Sequence, residues 1–351
     1  MGYFIKDKKF YNDRYFQFWE IAMAFFHKNY DELFGLDNIF FAWDKFRRGK
    51  AKKIEIMNFS LHVEDNLFNL FTDFQNHGYQ HSTYTYFQIF DNKKRDIHKA
   101  EIRDRVVHQL VYDFLYLLFN QFFITDSYAS RLRKGQYRAI NTLRYFIKLA
   151  GYGRKPVWIL KCDVKKYFDN IHHDILLDLI REKVFDDKIL EIIEKIITSY
   201  HSADNLNRGI PLGNITSQIF ANIYLNSLDQ YIKNDLKQRF FVRYNDDFVI
   251  VSTNKEELQE IREKIILFAR KRLSLEIPLT KTSLRKIDWG IDFLGFIILP
   301  KAILLRDKTK NKLYAKISLK NKASYFAILQ RCDSYHLRSK IQSMAKLDES
   351  W

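Results

Sequence analysis

Arg239-Phe240-Phe241-Val242-Arg243-Tyr244-Asn245-Asp246-Asp247-Phe248-Val249-Ile250-Val251 is the stretch on which the reading of this chain turns. Two short apolar runs rich in Phe and Val flank a tight polar turn, the pattern of a β-hairpin. Asn and Asp favour turns in any case, so an ordinary turn accounts for part of the pattern. It does not account for two adjacent carboxylates, Asp246 and Asp247, between hydrophobic strands. Like charges side by side are costly unless a cation or another partner stabilises them. A third carboxylate at the end of a second strand would give that pair a purpose.

The chain supplies one. Pro156 opens the run Val157-Trp158-Ile159-Leu160-Lys161-Cys162-Asp163-Val164, which reads as a strand ending in Asp163. If the two strands pair antiparallel, the carboxylates converge at one edge of a sheet. Hard oxygen ligands in a small cluster suit Mg²⁺, which also recruits substrate phosphates. Two such ions would activate an attacking 3′-hydroxyl and stabilise a leaving pyrophosphate. Asp169, between Asp163 and Ile171-His172-His173, reads instead as a helix N-cap.

Composition bounds what such a site serves. The 351 residues allow two or three lobes with a buried core, and 47% hydrophobic content excludes a disordered chain. A formal charge of +16 favours a polyanionic partner, nucleic acid first and an anionic membrane surface second. The 31 Phe and 21 Tyr are mostly core, although aromatics that reach a basic groove can stack on bases. Cys162 and Cys332 show no metal-ligand spacing, which predicts a reduced, intracellular protein without structural zinc. No apolar run approaches the roughly 18 residues of a membrane span and no signal-peptide core opens the chain, so a soluble cytoplasmic protein is expected.

Along the chain, Phe16–Tyr30 reads as a helix, and the basic run 45–53 as a solvated face or a phosphate-contacting surface. Leu61, Leu67, Leu70, Phe71 and Phe74 predict a helix ending near His77-Gly78. A strand over Tyr84–Phe90, a turn at 91–94 and a long helix over Arg103–Phe123 follow. Arg131, Arg133, Lys134 and Arg138 with Gly135 as a hinge suit phosphate binding, with a plain exposed loop as the alternative. Neither GxxxxGK[ST] nor GxGxxG occurs. Helices are expected at 171–183 and 187–201. The loop Gly209-Ile210-Pro211-Leu212-Gly213-Asn214-Ile215-Thr216-Ser217-Gln218 leads into a helix ending near Lys233. Leu258, Ile261, Ile265 and Phe268 mark one face of a helix over 255–273. Gly290–Phe296 reads as a strand or hairpin, and a final helix is expected over 320–345 after a basic stretch.

Together these residues carry a resemblance. Asp163 with Phe168, then Pro211-Leu212-Gly213 with Ser217, then Tyr244-Asn245-Asp246-Asp247 are similar, in order and spacing, to motifs A, B and C of reverse transcriptases. Phe293-Leu294-Gly295 resembles the primer-grip hairpin that follows, and Arg103-Asp104-Arg105-Val106-Val107 a motif of the fingers. The likeness covers about residues 85–300. It implies an α+β right-hand polymerase: an N-terminal extension over 1–50, fingers over 51–155, a palm with an antiparallel sheet over 156–300 (part of the fingers lying around 170–210), and a short helical thumb over 301–351. It implies that Asp163, Asp246 and Asp247, with Val164 beside Asp163, hold two Mg²⁺ ions, Mn²⁺ being a substitute. Phe168 would exclude a 2′-hydroxyl and so select dNTPs, its alternative being a core aromatic. Arg95 and Arg131 would contact the triphosphate, and Lys281 would stand near the leaving group.

The motif B loop departs from most of that family. Leu212 stands where a Gln is usual before the glycine, and Gln218 where a Pro is usual after the serine. This resembles the reverse transcriptases of diversity-generating retroelements, which misincorporate opposite adenines of a template-repeat RNA and act with a basic accessory variability protein. Replacing a directional polar contact by an aliphatic one would relax discrimination by ~1–2 kcal/mol, about tenfold or more. Neutral drift at Leu212 is the alternative. The expected partners are template RNA, a cDNA primer–template and dNTPs, with no membrane. Competing readings are a retron or antiviral-defence reverse transcriptase and a catalytically idle RNA-binding scaffold.

Overall fold

The computed structural model describes residues 29–90, 94–317, 321–335 and 337–339. They belong to two compact units, one of the chain up to Phe123 with Lys166–Ser227, the other of Ile124–Lys165 with the chain from Leu228 onward. Most of the helix expected over Phe16–Tyr30, the turn at 91–93 and the far end of the expected final helix lie outside the described residues.

The first unit is largely helical. Its centre is the helix Ile102–Phe119, whose Val106, Val107, Leu110, Val111, Phe114 and Leu115 are all buried. Helices His173–Arg181 and Asp187–Thr198 bury Leu176, Leu177 and Ile180, and Ile189, Ile192, Ile193, Ile196 and Ile197, which is the i, i+3, i+4 spacing of one face. Asp186 starts the second of these by accepting from the amides of Lys188 and Ile189, a cap typically worth about 1 kcal/mol. The helix expected to contain Leu61 runs from Val63 to Gln75 and buries Leu67, Leu70 and Phe74, while Leu61 ends the preceding helix, Ile54–Leu61, and is exposed. Asp169 is not an N-cap. It sits in a 3-10 turn, Phe168–Asn170, and the next helix starts at His173 without a side-chain cap. Strands β1 (Thr85–Phe90) and β2 (Lys94–Lys99) form an antiparallel hairpin.

In the second unit, strands β3 (Trp158–Asp163), β4 (Phe241–Tyr244), β5 (Asp247–Ser252) and β6 (Thr282–Lys286) make an antiparallel sheet in the order β4-β5-β3-β6. Strands β7 (Ile291–Phe293), β8 (Phe296–Ile298) and β9 (Ile303–Leu305) make a second antiparallel sheet. Alternate residues of each strand share a face. One core therefore joins Ile159, Val242, Val249 and Val251 with Ile291, Phe293, Phe296 and Ile298, and with Ala139, Ile140, Leu143 and Ile147 of the helix Gln136–Leu149. The helix Lys255–Leu273 is capped by Asn254 and carries acids in its first turn and bases in its last, complementing its dipole. Strand β9 lies inside the stretch read only as basic. The final helix expected over 320–345 is shorter than that: it runs over Lys322–Leu329 and stops at a turn over residues 330–334. Cys162 and Cys332 are buried free thiols. Among the described residues no helix is long and apolar enough to cross a membrane.

A candidate active site at the β3–β5 edge

The hairpin forms as read, with one refinement. Asp247 is not in the turn but is the first residue of β5, paired with Tyr244, so the connection is Asn245-Asp246 alone. Asn245 has a φ of 52°, in the left-handed region that Asn tolerates better than branched residues do. That conformation gives a physical reason for an Asn at this position of the turn. Strands β3 and β5 pair antiparallel from Trp158–Ser252 to Asp163–Asp247, which sets two carboxylates side by side at the strand ends. The Val164 amide donates to the Asp246 carbonyl at 3.3 Å and closes that edge.

Each of the two paired carboxylates has an ammonium neighbour. Lys161 Nζ lies 3.1 Å from Asp247 Oδ2 and also donates to the Asp292 carbonyl at 2.6 Å. Lys281 Nζ pairs with Asp163 Oδ1 and reaches the Val164 carbonyl at 3.3 Å. Asp247 is largely buried, and its Oδ1 accepts no hydrogen bond from the described residues. Burial above all pushes its carboxyl up to about 7; Lys161 opposes this and the charges of Asp163 and Asp246 add to it. An open cleft of about 270 Å³ beside Asp163 is lined by Lys161, Lys281, Arg285, Asp292 and neighbouring hydroxyls.

Among the described residues no three His, Cys, Asp or Glu side chains form a ready metal cluster. The donor chemistry nevertheless fits a hard divalent cation: two adjacent strand-end carboxylates, one with a buried oxygen that lacks a partner, and a third acid next in the chain.

A buried ion pair underlies the turn. Arg243, fully buried on β4, donates from Nε and Nη2 to both oxygens of Asp229 at 2.7 and 2.6 Å, from Nη2 to Ser127 Oγ at 3.1 Å, and from Nη1 to the Asn245 carbonyl at 3.0 Å. Burial raises the Asp229 carboxyl, and the bidentate guanidinium opposes that. Neither Arg243 nor Lys161 was singled out by sequence. Both carried a signal: Arg243 is a cation inside an apolar strand, and Lys161 stands two residues before Asp163 and so on its face.

The other expected site residues lie in two places. Arg131, in the second unit, is half-buried and donates to the carbonyls of Ile124 and Ser127 at 2.6 and 3.0 Å, so its guanidinium shapes its own loop. In the first unit, Arg95 is exposed on β2. Phe168 is half-buried, and its carbonyl accepts from the Ile210 amide at 2.9 Å, next to the Gly209 amide that donates to Ile171 at 2.8 Å. The loop from Pro211 to Ser217 is bolted to the end of β2. The His98 amide donates to the Leu212 carbonyl at 3.1 Å, Asn214 accepts from the Ala100 amide at 3.2 Å and donates to the His98 carbonyl at 2.8 Å, and Ser217 Oγ donates to Pro211 at 2.6 Å. Gly213 has a φ of 115°, and a Cβ there would meet Ile97 at 2.9 Å. Gln218 is exposed and Leu212 half-buried.

A family model described as reverse transcriptase (RNA-dependent DNA polymerase) matches residues 90–298. The chain is similar to protein YkfC of Escherichia coli (strain K12), 27% identical over 252 residues that cover 62% of this chain and 66% of that one. It is also similar to the group II intron-encoded protein LtrA of Lactococcus lactis subsp. cremoris, 25% identical over 276 residues, 59% of this chain and 44% of that one. A third relative is the putative COX1/OXI3 intron 2 protein of Saccharomyces cerevisiae, 22% identical over 257 residues, with 55% and 29% covered. The chain thus spans less than two thirds of the length of each. Among solved structures it resembles telomerase from Candida albicans in complex with a TWJ fragment of telomeric RNA (TM-score 0.52, 15% identity, 72% of this chain and 50% of that one). Telomerase from Candida tropicalis with the same kind of fragment gives a TM-score of 0.52 at 16% identity, with 76% and 53% covered. At such identity the likeness is one of fold, and that fold is the right-hand polymerase.

Proposed function

Because that family model covers more than half of the chain, the protein belongs to the reverse transcriptase (RNA-dependent DNA polymerase) family, and we propose that it extends a DNA primer along an RNA template. The observation that carries the proposal is the register of β3 against β5, which sets Asp163 beside Asp247 with Asp246 next in the chain. Asp163, Asp246 and Asp247, with the Val164 carbonyl, would hold the divalent ions, Mg²⁺ or Mn²⁺ in its place. Those ions, when bound, supply charge neutralisation for the attacking and leaving oxygens. Lys281, which pairs with Asp163, would meet the leaving pyrophosphate. Arg95 and Arg131 would hold the triphosphate, and Phe168 would select dNTPs by occupying the space of a 2′-hydroxyl. Template RNA, primer–template and dNTPs are the partners, and the cytoplasm is the proposed place of reaction. Primer extension on RNA with Mg²⁺ tests this, with Asp246→Ala as control. Equal signal from both proteins would leave only an RNA-binding scaffold.

The motif B residues favour a narrower reading, an error-prone enzyme that makes mutagenised cDNA from a template-repeat RNA of a diversity-generating retroelement, with a basic accessory protein as partner. Leu212 offers a nucleotide contact without direction, and Gln218 replaces a stiff proline. Another bacterial reverse transcriptase, of retron or defence type, is the alternative within the family. Sequencing cDNA copied from an adenine-rich RNA decides between them. The narrower reading expects substitutions concentrated opposite adenine and fewer of them in Leu212→Gln; an even, unchanged error spectrum would overturn it.

A further inference from the structure

We propose that Lys161 is a positioning residue, tying the Asp247 carboxylate to the β7–β8 hairpin so that the two hold one register during nucleotide addition. The kinetic part of this inference rests on the polymerase reading; the structural part does not.

Lys161 lies on β3 between two neighbours, paired with Val249 of β5 and Ser283 of β6. Its side chain is 21% exposed, and its ammonium reaches Asp247 at the start of β5. From there it joins three stretches far apart in sequence: its own strand, Asp247 at the start of β5, and Asp292 in the middle of β7. Among the described residues β7 is an edge strand, with β8 on one side only. A carbonyl facing away from β8 has no strand to pair with. Lys161 takes that position at the Asp292 carbonyl with a 2.6 Å bond. The Asp292 side chain turns elsewhere, 2.8 Å from Arg306 Nη1. The tie to β7 is therefore a backbone tie, indifferent to the Asp292 carboxylate.

This is not the geometry of a surface ion pair, whose worth is usually below about 1 kcal/mol. Asp247 keeps one oxygen on Lys161 and the other without a partner among the described residues. Holding one oxygen fixes the carboxylate rotamer and leaves the second oxygen for the reaction. The β7–β8 connection, Leu294-Gly295, turns through two positive-φ residues, at 53° and 84°. A hairpin so short moves as one piece when its edge carbonyl is held.

Two readouts test the assignment. In the protein without nucleic acid, Lys161→Met should speed amide exchange of residues 291–298 by about tenfold, with circular dichroism unchanged. In single-turnover primer extension the same variant should slow dNTP addition ~10–100-fold while the dNTP KM and primer–template Kd stay within about twofold. Lys161→Arg, which keeps donors for both oxygens, should recover most of both. Wild-type exchange and rate in Lys161→Met would overturn the proposal, as would an equal loss in the Met and Arg variants. Should Lys161→Met not fold, Lys161→Arg decides: near-wild-type exchange and rate support the tie, and slowed addition with unchanged exchange overturns it. If the wild-type protein adds no nucleotide, the polymerase reading fails while the exchange measurement still judges Lys161.

Discussion

The two units hold their candidate functional residues by different means. In the second unit the acids sit on paired strands, where a one-residue slip would turn every side chain to the other face, so Asp163 and Asp247 are aligned by the whole sheet. In the first unit Leu212, Gly213 and Gln218 belong to a loop and the first turn of a helix, held by a few bonds to His98 and Ala100. A site on a sheet tolerates little displacement, which suits the proposed chemistry. A loop on a handful of bonds can be altered without unfolding the unit, which suits a role in discrimination. Mutations should therefore cost the sheet site rate and the loop site stability or fidelity.

The largest effect belongs to Asp247→Asn. Loss of a proposed metal-binding charge should lower primer extension by at least about 10³-fold, several kcal/mol of transition-state stabilisation. The fold should not suffer. A carboxylate with an unpartnered buried oxygen becomes a neutral amide of the same shape, so thermal unfolding should occur at the wild-type temperature or above it. A variant that loses both activity and stability would mean that Asp247 serves the sheet first. Next is Arg243→Met, which leaves Asp229 buried and unpaired and should cost ~3–5 kcal/mol in urea unfolding. Adding Asp229→Leu should restore much of that stability. Activity should stay low in the double variant, because the Asn245 carbonyl has lost its donor.

How much of this was legible in sequence follows from the same contrast. The strand ends were legible because alternation and the turn residues are local, and Asp163 could be matched to Asp247 once antiparallel pairing was assumed. The β9 strand was not, since three apolar residues among lysines carry too short a period to read. Lys161 and Arg243 were passed over because a charge in a strand identifies no partner: Asp292 is 131 residues from Lys161, and Asp229 is in a helix. Asp169 was misread as a cap because a helix does follow, but only after an intervening 3-10 turn. Motif resemblance located Leu212, but the bonds that hold its loop come from β2, which no motif in the loop announces.

The loop side of the contrast sharpens with Asn214→Ala. It strips the buried Ala100 amide of its acceptor and the His98 carbonyl of a donor, and should cost about 2 kcal/mol. Primer-extension rate should fall far less than in Asp247→Asn. A loss of rate as large as that of Asp247→Asn would erase the proposed division of labour.

The smallest expected effect depends on pH and concerns the same loop. Thr216 of the motif B segment is bonded to buried His108, at 2.6 Å from Nδ1, and His108 Nε2 lies 2.9 Å from His81 Nε2. His81 Nδ1 faces the Ser82 carbonyl at 2.6 Å and must donate to it, since a carbonyl only accepts. His81 Nε2 is then an acceptor, His108 Nε2 the donor, and the Thr216 hydroxyl donates to His108 Nδ1. Burial keeps the His108 ring neutral, and a further proton on it breaks this chain. Burial first, then the fields of His81 and Arg105, hold His108 down to about 3, against 6.5 for an ordinary imidazole. Between those values the unfolded chain binds a proton that the folded unit refuses, so stability falls as pH drops below 6.5 and is unaffected above it. From pH 6.5 to 5.5 the loss should be about 1 kcal/mol. His108→Gln, which can still accept from Thr216 and donate to His81, should flatten that slope in urea melts. An unchanged slope would assign the pH response to other groups and leave His108 as a neutral strut for the loop.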